Sequence, residues 1–270
     1  GHEFCAEVVD YGPNTERSVA PGQLVCAAPV LLREPMEPVG YSDKIPGGFA
    51  QYMLLSESLI VPVPSGCNAD LAALTEPMAV GLHAVNKAHL SAKETILIIG
   101  AGPVGLAIIT ALKQINTGPI IVSDFSPGRR KLAEAIGADI VIDPSDTDPY
   151  QEPALRKRQG VVIFECVGIP GMIDQIFLGA PKNAKIMIVG VCLQQDYIRP
   201  LIAINKELSL HFLLGWSMEE FTQSLRYIAE GKFDVAPLIT GRTSLDGVAS
   251  TFESLATPND QAKVLVKPWE

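Results

Sequence analysis

A glycine-rich turn carries the clearest chemical signal in the sequence. The stretch ILIIGAGPVGLAIITALK places Gly100, Gly102 and Gly105 in the spacing GxGxxG, between an apolar strand-like run and a helix-like run. An acidic residue, Asp124, ends the next strand-like run, nineteen residues after Gly105. Such glycines permit a tight turn, a close approach of the backbone to a diphosphate, and close packing of helix on strand. The pattern predicts a dinucleotide bound at the N-terminus of the following helix.

The acid at the end of the second strand favours NAD over NADP. The carboxylate of Asp124 can accept hydrogen bonds from both ribose hydroxyls, and it would repel a 2′-phosphate. Arg129 or Arg130 could flank the adenine or weaken this preference. Two alternatives stay open, because GxGxxG also serves FAD and because a glycine turn in an α/β protein need not hold a cofactor.

A second group of polar residues begins the sequence, where His2 and Glu3 precede an alternating, strand-like run. Imidazole and carboxylate are zinc ligands, although an isolated His–Glu pair is more often a solvated one. Glu76 lies in an apolar helix-like run, where an unpaired carboxylate would cost free energy. It needs a metal ion or a cation such as Lys87 or Arg33. The other histidines are interpreted as structural: His83, His89 and His211.

The elements that must position these residues fall into two classes. Residues 1–66 resemble short strands and turns, with two strands predicted within 47–64, and 70–90 predict a helix bent by Pro77. From residue 95 apolar strands alternate with helices, which predicts a parallel sheet covered on both faces. A helix at 217–232, another near 244–255 and a final strand at 262–268 follow. The fold class is therefore α/β, a doubly wound Rossmann sheet plus a β-rich domain.

Composition narrows the functional classes. The chain has 270 residues, 47% hydrophobic and 19% charged, with a net charge of −9, so we expect a globular protein that binds neither nucleic acid nor an anionic membrane. The uncharged stretch 95–112 is interrupted by glycine and proline, which argues against a membrane span. Five cysteines, none closely spaced, indicate no disulfide framework and favour the reducing cytoplasm.

Several strings resemble the zinc-dependent medium-chain alcohol and polyol dehydrogenases. They are GHEFCAEVVDYG, APGQLVCAAPV, GGFAQYMLL, ALTEPMAVGLHAV, IIGAGPVGLA, SDFSPGRRKLAEAIGAD, FECVGIPG and AKVLVKP, and their order covers essentially the whole chain. The resemblance implies a GroES-like catalytic domain at 1–88 and 217–270, and a Rossmann domain at 89–216. It implies hydride transfer between NAD and a secondary alcohol or polyol, or its ketone, at one catalytic zinc.

The resemblance also assigns site residues. His2 matches a zinc ligand, Glu3 an acid that binds the metal in some members and lies beside it in others, and Glu76 an acid at or beside the metal. Cys166, Val167 and Gly168 match a loop near the nicotinamide, and Gly190 and Val191 a strand end that contacts its carboxamide. The residues predicted to contact the cofactor are Gly100, Gly102, Pro103, Val104, Gly105, Asp124, Arg129, Cys166, Val167, Gly190 and Val191.

Two departures from the family pattern lead to further expectations. The family places a cysteine ligand and a Ser/Thr-His proton relay before the GHE string, so we expect this chain to be a fragment of a longer protein; an intact mass of 28.9 kDa would argue otherwise. Many members carry four clustered cysteines that bind a structural zinc. Here Cys26 stands alone in that region, which predicts no structural zinc.

The apolar run 208–216 resembles the strand that the family pairs with its copy, so a homodimer or homotetramer is expected; the alternative is an edge covered by its own chain. Three functions are open. The first is the zinc- and NAD-dependent alcohol dehydrogenase. The second is a metal-free quinone or enoyl reductase of the same superfamily, and the third is a catalytically silent nucleotide-binding protein.

Overall fold

The computed structural model describes residues 1–41, 44–115, 117–156, 160–256 and 259–270. Two compact units form, one from Gly1–Ala79, Ser217–Thr257 and Lys263–Glu270, the other from Val80–Trp216 and Pro258–Ala262. The strands are β1 (Ala6–Glu7), β2 (Leu24–Ala27), β3 (Val30–Leu31), β4 (Glu37–Pro38), β5 (Ile60–Pro62), β6 (Glu94–Ile99), β7 (Ile120–Ser123), β8 (Ile140–Ile142), β9 (Gly160–Glu165), β10 (Lys185–Ile188), β11 (Ser209–Phe212), β12 (Ile239–Ser244) and β13 (Lys263–Lys267). The α-helices are α1 (Ala69–Ala72), α2 (Thr75–Ala88), α3 (Pro103–Leu112), α4 (Pro127–Ile136), α5 (Met172–Gly179), α6 (Pro200–Lys206), α7 (Met218–Ala229) and α8 (Val248–Leu255).

The second unit contains a parallel sheet in the order β11-β10-β9-β6-β7-β8. From β6 the chain proceeds to β7 and β8 on one side, then returns to β9 and continues outward on the other. This reversal opens a crevice at the carboxyl ends of β6 and β9, where such sheets bind nucleotides. Five of six residues are buried in each of these strands, as expected of a sheet covered on both faces. The predicted doubly wound sheet is confirmed.

Local signals set the helices that follow the first two strands of this sheet. Pro103 begins α3 directly after Gly102, a position where the missing N–H of proline has no intrahelical partner to lose. The Ser126 hydroxyl accepts a hydrogen bond from the Arg129 N–H and caps α4. The left-handed Gly137 ends α4. The turn chemistry therefore fixes both strand-to-helix connections that border the crevice.

The first unit is built from small sheets. Strands β1, β2 and β5 form an antiparallel sheet, β3 pairs with β4, and β12 runs parallel to β13. Ser217 and Glu220 form the capping box of α7, at the point where the sequence predicts a helix to begin. None of the helices in the described ranges is long and apolar enough to cross a membrane.

Two sequence predictions in the first unit are wrong. Pro77 does not bend a single helix over 70–90, because the break lies before it, between α1 and α2, and Pro77 sits in the first turn of α2, where no N–H is needed. Of two strands predicted within 47–64, only β5 forms. The Gly48 N–H instead donates to the Gly1 carbonyl (2.7 Å), so this backbone bonds to a loop rather than to a strand.

Candidate functional site

His2, Glu3 and Glu76 come together in the first unit. Each offers one ligand atom, and these atoms all lie within 4.8 Å of one another. The His2 Nε2 and Glu76 Oε2 atoms are 3.9 Å apart, and their side chains are only 31% and 12% exposed. Within the ranges that the structure describes, no other group of three or more His, Cys, Asp or Glu residues meets this criterion. One imidazole and two carboxylates form a donor set that suits zinc.

A glycine-lined loop holds His2 in place. The Gly1 nitrogen donates to the Gly40 carbonyl (3.1 Å). Gly40 has φ +76°, and a Cβ there would lie 2.5 Å from the Gly1 carbonyl carbon, while a Cβ on Gly47 would lie 2.2 Å from the Gly1 oxygen. The neighbouring Tyr41 stacks on the His2 imidazole, with ring centroids 4.5 Å apart. Side chains at these glycines would push His2 away from the carboxylates.

Glu76 reaches the cluster from the first turn of α2. The helix N-terminus favours a negative charge there, and the Thr75 hydroxyl anchors this turn by donating to the Ala72 carbonyl (2.7 Å). The sequence left Arg33 open as a partner for Glu76. Arg33 instead pairs with Glu37, four residues along the chain.

Glu3 is held by a cation that the sequence reasoning missed. Lys263, at the start of β13, donates to both carboxylate oxygens of Glu3 (2.7 and 2.6 Å). Burial lowers the pKa of His2 below its ordinary value; Glu3 opposes this shift and Lys263 adds to it. The imidazole is therefore neutral at pH 7, the form that binds metal. His2 and Glu76 thus fit the role of ligands, and Glu3, already paired, fits the position beside the metal.

The glycine turn lies at the carboxyl end of β6 in the second unit. Gly100 has φ +98°, which disfavours any side chain. A Cβ on Gly105 would lie 2.0 Å from the Gly100 oxygen, whereas nothing lies within 4 Å of a Cβ on Gly102. Gly102, Pro103 and Val104 are partly exposed, while Gly105 is buried. The first three residues are therefore accessible to a ligand, and Gly105 provides the close packing of α3 on the turn.

Asp124 ties the end of β7 to this turn. Its carboxylate accepts hydrogen bonds from the N–H groups of Ala101 (2.7 Å) and Ser126 (2.8 Å). Each of these bonds uses a different oxygen, and a carboxylate has further lone pairs that can accept ribose hydroxyls.

The two arginines of α4 have different roles. Arg130 donates to the Asp124 and Phe125 carbonyls (2.8 Å each) and pairs with Asp143 (2.9 Å). Arg129 is partly buried, and its Nε is buried with no hydrogen-bond partner among the described residues. Arg130 therefore holds the loop in place, while the buried Nε of Arg129 makes no hydrogen bond.

The remaining predicted cofactor residues gather where β9 and β10 end. Glu165, the last residue of β9, is 1% exposed and accepts hydrogen bonds from the N–H groups of Val167 (2.7 Å) and Gly168 (2.8 Å). Gly190 packs so closely that a Cβ there would lie 2.4 Å from the Gly168 nitrogen. Sequence reasoning missed Glu165, although an acid that ends an apolar strand was a usable signal.

Two of these residues, Val167 and Val191, are exposed, and a third, Cys166, is partly buried. Val167 is 40% exposed and Val191 is 68% exposed. Burial raises the pKa of the Cys166 thiol well above its ordinary value, and Glu165 adds to the shift. Cys166 is therefore a neutral thiol whose backbone joins the adjacent strand: its N–H donates to the Ile99 carbonyl (2.9 Å).

Two family models match this chain, one in its first part and one in its central part. The family model described as alcohol dehydrogenase GroES-like domain matches residues 1–65, and that described as zinc-binding dehydrogenase matches residues 103–230. The (R,R)-butanediol dehydrogenase of Bacillus subtilis (strain 168) is 32% identical over 99% of this chain and 80% of its own length. The sorbitol dehydrogenase of the same strain is 28% identical, with the same two coverages, 99% and 80%.

Solved structures give the same result. The crystal structure of 2R,3R-butanediol dehydrogenase from Bacillus subtilis superposes with a TM-score of 0.86, covering 99% of this chain and 80% of that one. A zinc-binding dehydrogenase from Sinorhizobium meliloti 1021, bound to NADP, has a TM-score of 0.86 and 26% identity and covers 99% of this chain and 83% of that one.

Proposed function

Since the chain belongs to the zinc-dependent medium-chain alcohol and polyol dehydrogenases, we propose that His2 and Glu76 hold one catalytic zinc ion and that NAD accepts the hydride. Membership makes the chain an oxidoreductase that interconverts a secondary alcohol and its carbonyl form. The observation that carries the proposed site is the convergence of His2, Glu3 and Glu76 within 4.8 Å. His2 and Glu76 are 74 positions apart in sequence, yet their ligand atoms meet at one place, as the ligands of a single metal ion must.

Each side chain near the proposed metal has a separate role. A bound zinc ion acts as a Lewis acid that lowers the pKa of a coordinated hydroxyl group, as it lowers that of water to about 7. His2, kept neutral by burial and oriented by Tyr41, supplies an imidazole nitrogen. Glu76 supplies an oxygen from a helix start. Glu3 remains beside them, fixed by Lys263, and its charge favours a cation at this site.

The second unit supports dinucleotide binding through its backbone. The turn from Gly100 to Gly105 offers a helix N-terminus free of side chains at Gly102, suited to a diphosphate. The remaining lone pairs of the Asp124 carboxylate are the proposed acceptors of the ribose hydroxyls, an arrangement that favours NAD. Glu165 fixes the Val167 and Gly168 backbone, and Arg129 and Val191 complete the proposed cofactor contacts with Pro103, Val104, Cys166 and Gly190.

We assign 1–88 and 217–270 to the catalytic domain and 89–216 to the nucleotide domain, except that Val80–Ala88 and the segment containing Asp260 belong to the second compact unit. Strand β11 ends the sheet order. Phe212, its last residue, and Leu214, two residues later, are 70% and 88% exposed; a bare apolar edge supports pairing with a second copy in a dimer or tetramer. Sedimentation at micromolar concentration showing a monomer would reject the pairing.

The lone Cys26 supports the absence of a structural zinc, and the predicted cytoplasmic location is tested by fractionation.

Initial rates with a panel of alcohols test the function. We expect NAD reduction with secondary alcohols such as a vicinal diol or a hexitol, loss of activity after chelation and recovery on adding zinc. Reduction of a quinone by zinc-free protein would favour the metal-free reductase, against which the ligand cluster argues. NADH binding without turnover of any alcohol in the panel would favour the silent nucleotide-binding protein.

A further inference from the structure

A carboxylate from near the end of the chain lies at the start of α4. Asp260 belongs to the short segment that joins the second unit. Its Oδ1 accepts hydrogen bonds from the Ser126 hydroxyl (2.7 Å) and the Gly128 N–H (3.2 Å). A Cβ on Gly128 would lie 2.2 Å from the Asp260 Cγ, so only glycine at 128 admits this contact.

Ser126 links two acids at this point. Its N–H donates to Asp124 (2.8 Å) and its hydroxyl donates to Asp260 (2.7 Å). One residue, Ser126, therefore contacts both carboxylates. The negative charge next to the proposed ribose site is doubled by a residue 136 positions beyond Asp124 in the sequence.

The donors that Asp260 occupies are those that a phosphate would need. A 2′-phosphate on the adenosine ribose requires N–H and hydroxyl donors and a nearby guanidinium. The Ser126 hydroxyl and the Gly128 N–H are such donors, and both bind Asp260. Arg130 is tied to carbonyl groups and to Asp143. Of the two guanidinium groups on α4, that of Arg129 is not tied in this way, and its buried Nε has no hydrogen-bond partner among the described residues.

We infer that Asp260 acts together with Asp124 in the choice between NAD and NADP, by placing its own carboxylate where the 2′-phosphate would bind. Removal of this carboxylate frees Ser126 and Gly128 and, with Arg129, opens a phosphate site. The inference rests on the proposed dinucleotide binding at Asp124. It adds that specificity depends on a residue outside the GxGxxG unit.

Calorimetric titration with NADH and NADPH tests this inference without turnover. The wild-type protein should bind NADH more tightly. In Asp260→Ala the affinity for NADPH should rise about tenfold or more, because a like charge is removed from the phosphate position, while the affinity for NADH changes less than about threefold. Asp260→Asn, which keeps an acceptor but loses the charge, should give a smaller rise and serves as the second variant if Asp260→Ala does not fold.

The matched control is Glu253→Ala, which removes one negative charge from an exposed position on α8. Its NADPH-to-NADH affinity ratio should equal that of the wild type. Unchanged ratios in both folded Asp260 variants, with NADH binding intact, would overturn the role of Asp260 alone. Wild-type protein that binds NADPH as tightly as NADH would also overturn it. Failure to bind either nucleotide would overturn the proposed function together with this inference.

Discussion

Alanine should have different effects at two glycines of one turn: it should lower the stability of the fold at Gly105 and the affinity for NADH at Gly102. In Gly105→Ala the new methyl group would lie 2.0 Å from the Gly100 oxygen, at least 1 Å closer than the 3.0 Å that Cβ atoms normally keep. Helix α3 would have to move away from the turn by that amount. Since Leu106 and Ile109 of this helix are fully buried, the movement should cost about 1–3 kcal/mol, the usual range for overpacking.

Gly102→Ala should behave differently. Nothing lies within 4 Å of its new Cβ, and its φ of −70° suits any residue. The free energy of unfolding should therefore fall by less than about 1 kcal/mol, the cost of replacing the glycine N-cap of α3 with alanine. The methyl group would, however, hold the backbone away from the diphosphate, so NADH affinity should fall at least about tenfold, or about 1.4 kcal/mol.

Urea unfolding and NADH titration of both variants measure these effects. The expected pattern is a large loss of stability in Gly105→Ala, and lost NADH affinity with only a small loss of stability in Gly102→Ala. Equal destabilisation by the two substitutions would refute the packing argument. NADH affinity unchanged in Gly102→Ala would refute the placement of the diphosphate.

Two further predictions concern buried or paired carboxylates. Burial raises the pKa of Asp70, but hydrogen bonds from Lys267 and Arg242 outweigh this effect and hold the pKa below 3.8. These two ion pairs therefore stabilise the native state at neutral pH, by about 1 kcal/mol relative to Asp70→Asn. This difference in the free energy of unfolding, measured with urea, should disappear as the pH falls below 3.8. A difference that persists at the lowest pH would contradict the ionic origin. Glu165→Ala should cost about 1–3 kcal/mol, because the N–H of Val167 loses its buried acceptor, while Glu165→Gln should cost less; equal losses by urea unfolding would exclude the hydrogen-bond explanation.

Local chemistry explains why the nucleotide unit was predictable. Pro103, Ser126 and Gly137 act on their immediate neighbours, so the helices they begin or end were visible in the sequence. Strand β12 was not predictable, because ITGRTS is polar and only partly buried. Its backbone forms a strand through pairing with β13. Helix α6 was missed because seven residues give too short a periodic signal.

The candidate site was predictable only in part, since its contacts span long stretches of chain. His2 and Glu76 were connected by family resemblance rather than by spacing. The pairing of Lys263 with Glu3 joins residues 260 positions apart, and that of Ser126 with Asp260 joins residues 134 apart. No local pattern encodes such contacts, because each depends on the completed fold.

The zinc content of the purified protein tests the central claim most directly. We expect about one zinc ion per chain in the wild type and in Glu253→Ala, as for a catalytic site with no second zinc, and almost none in the double variant His2→Ala, Glu76→Ala. Equal zinc in the wild type and the double variant would place the metal elsewhere, and about two ions per chain would contradict a single catalytic site.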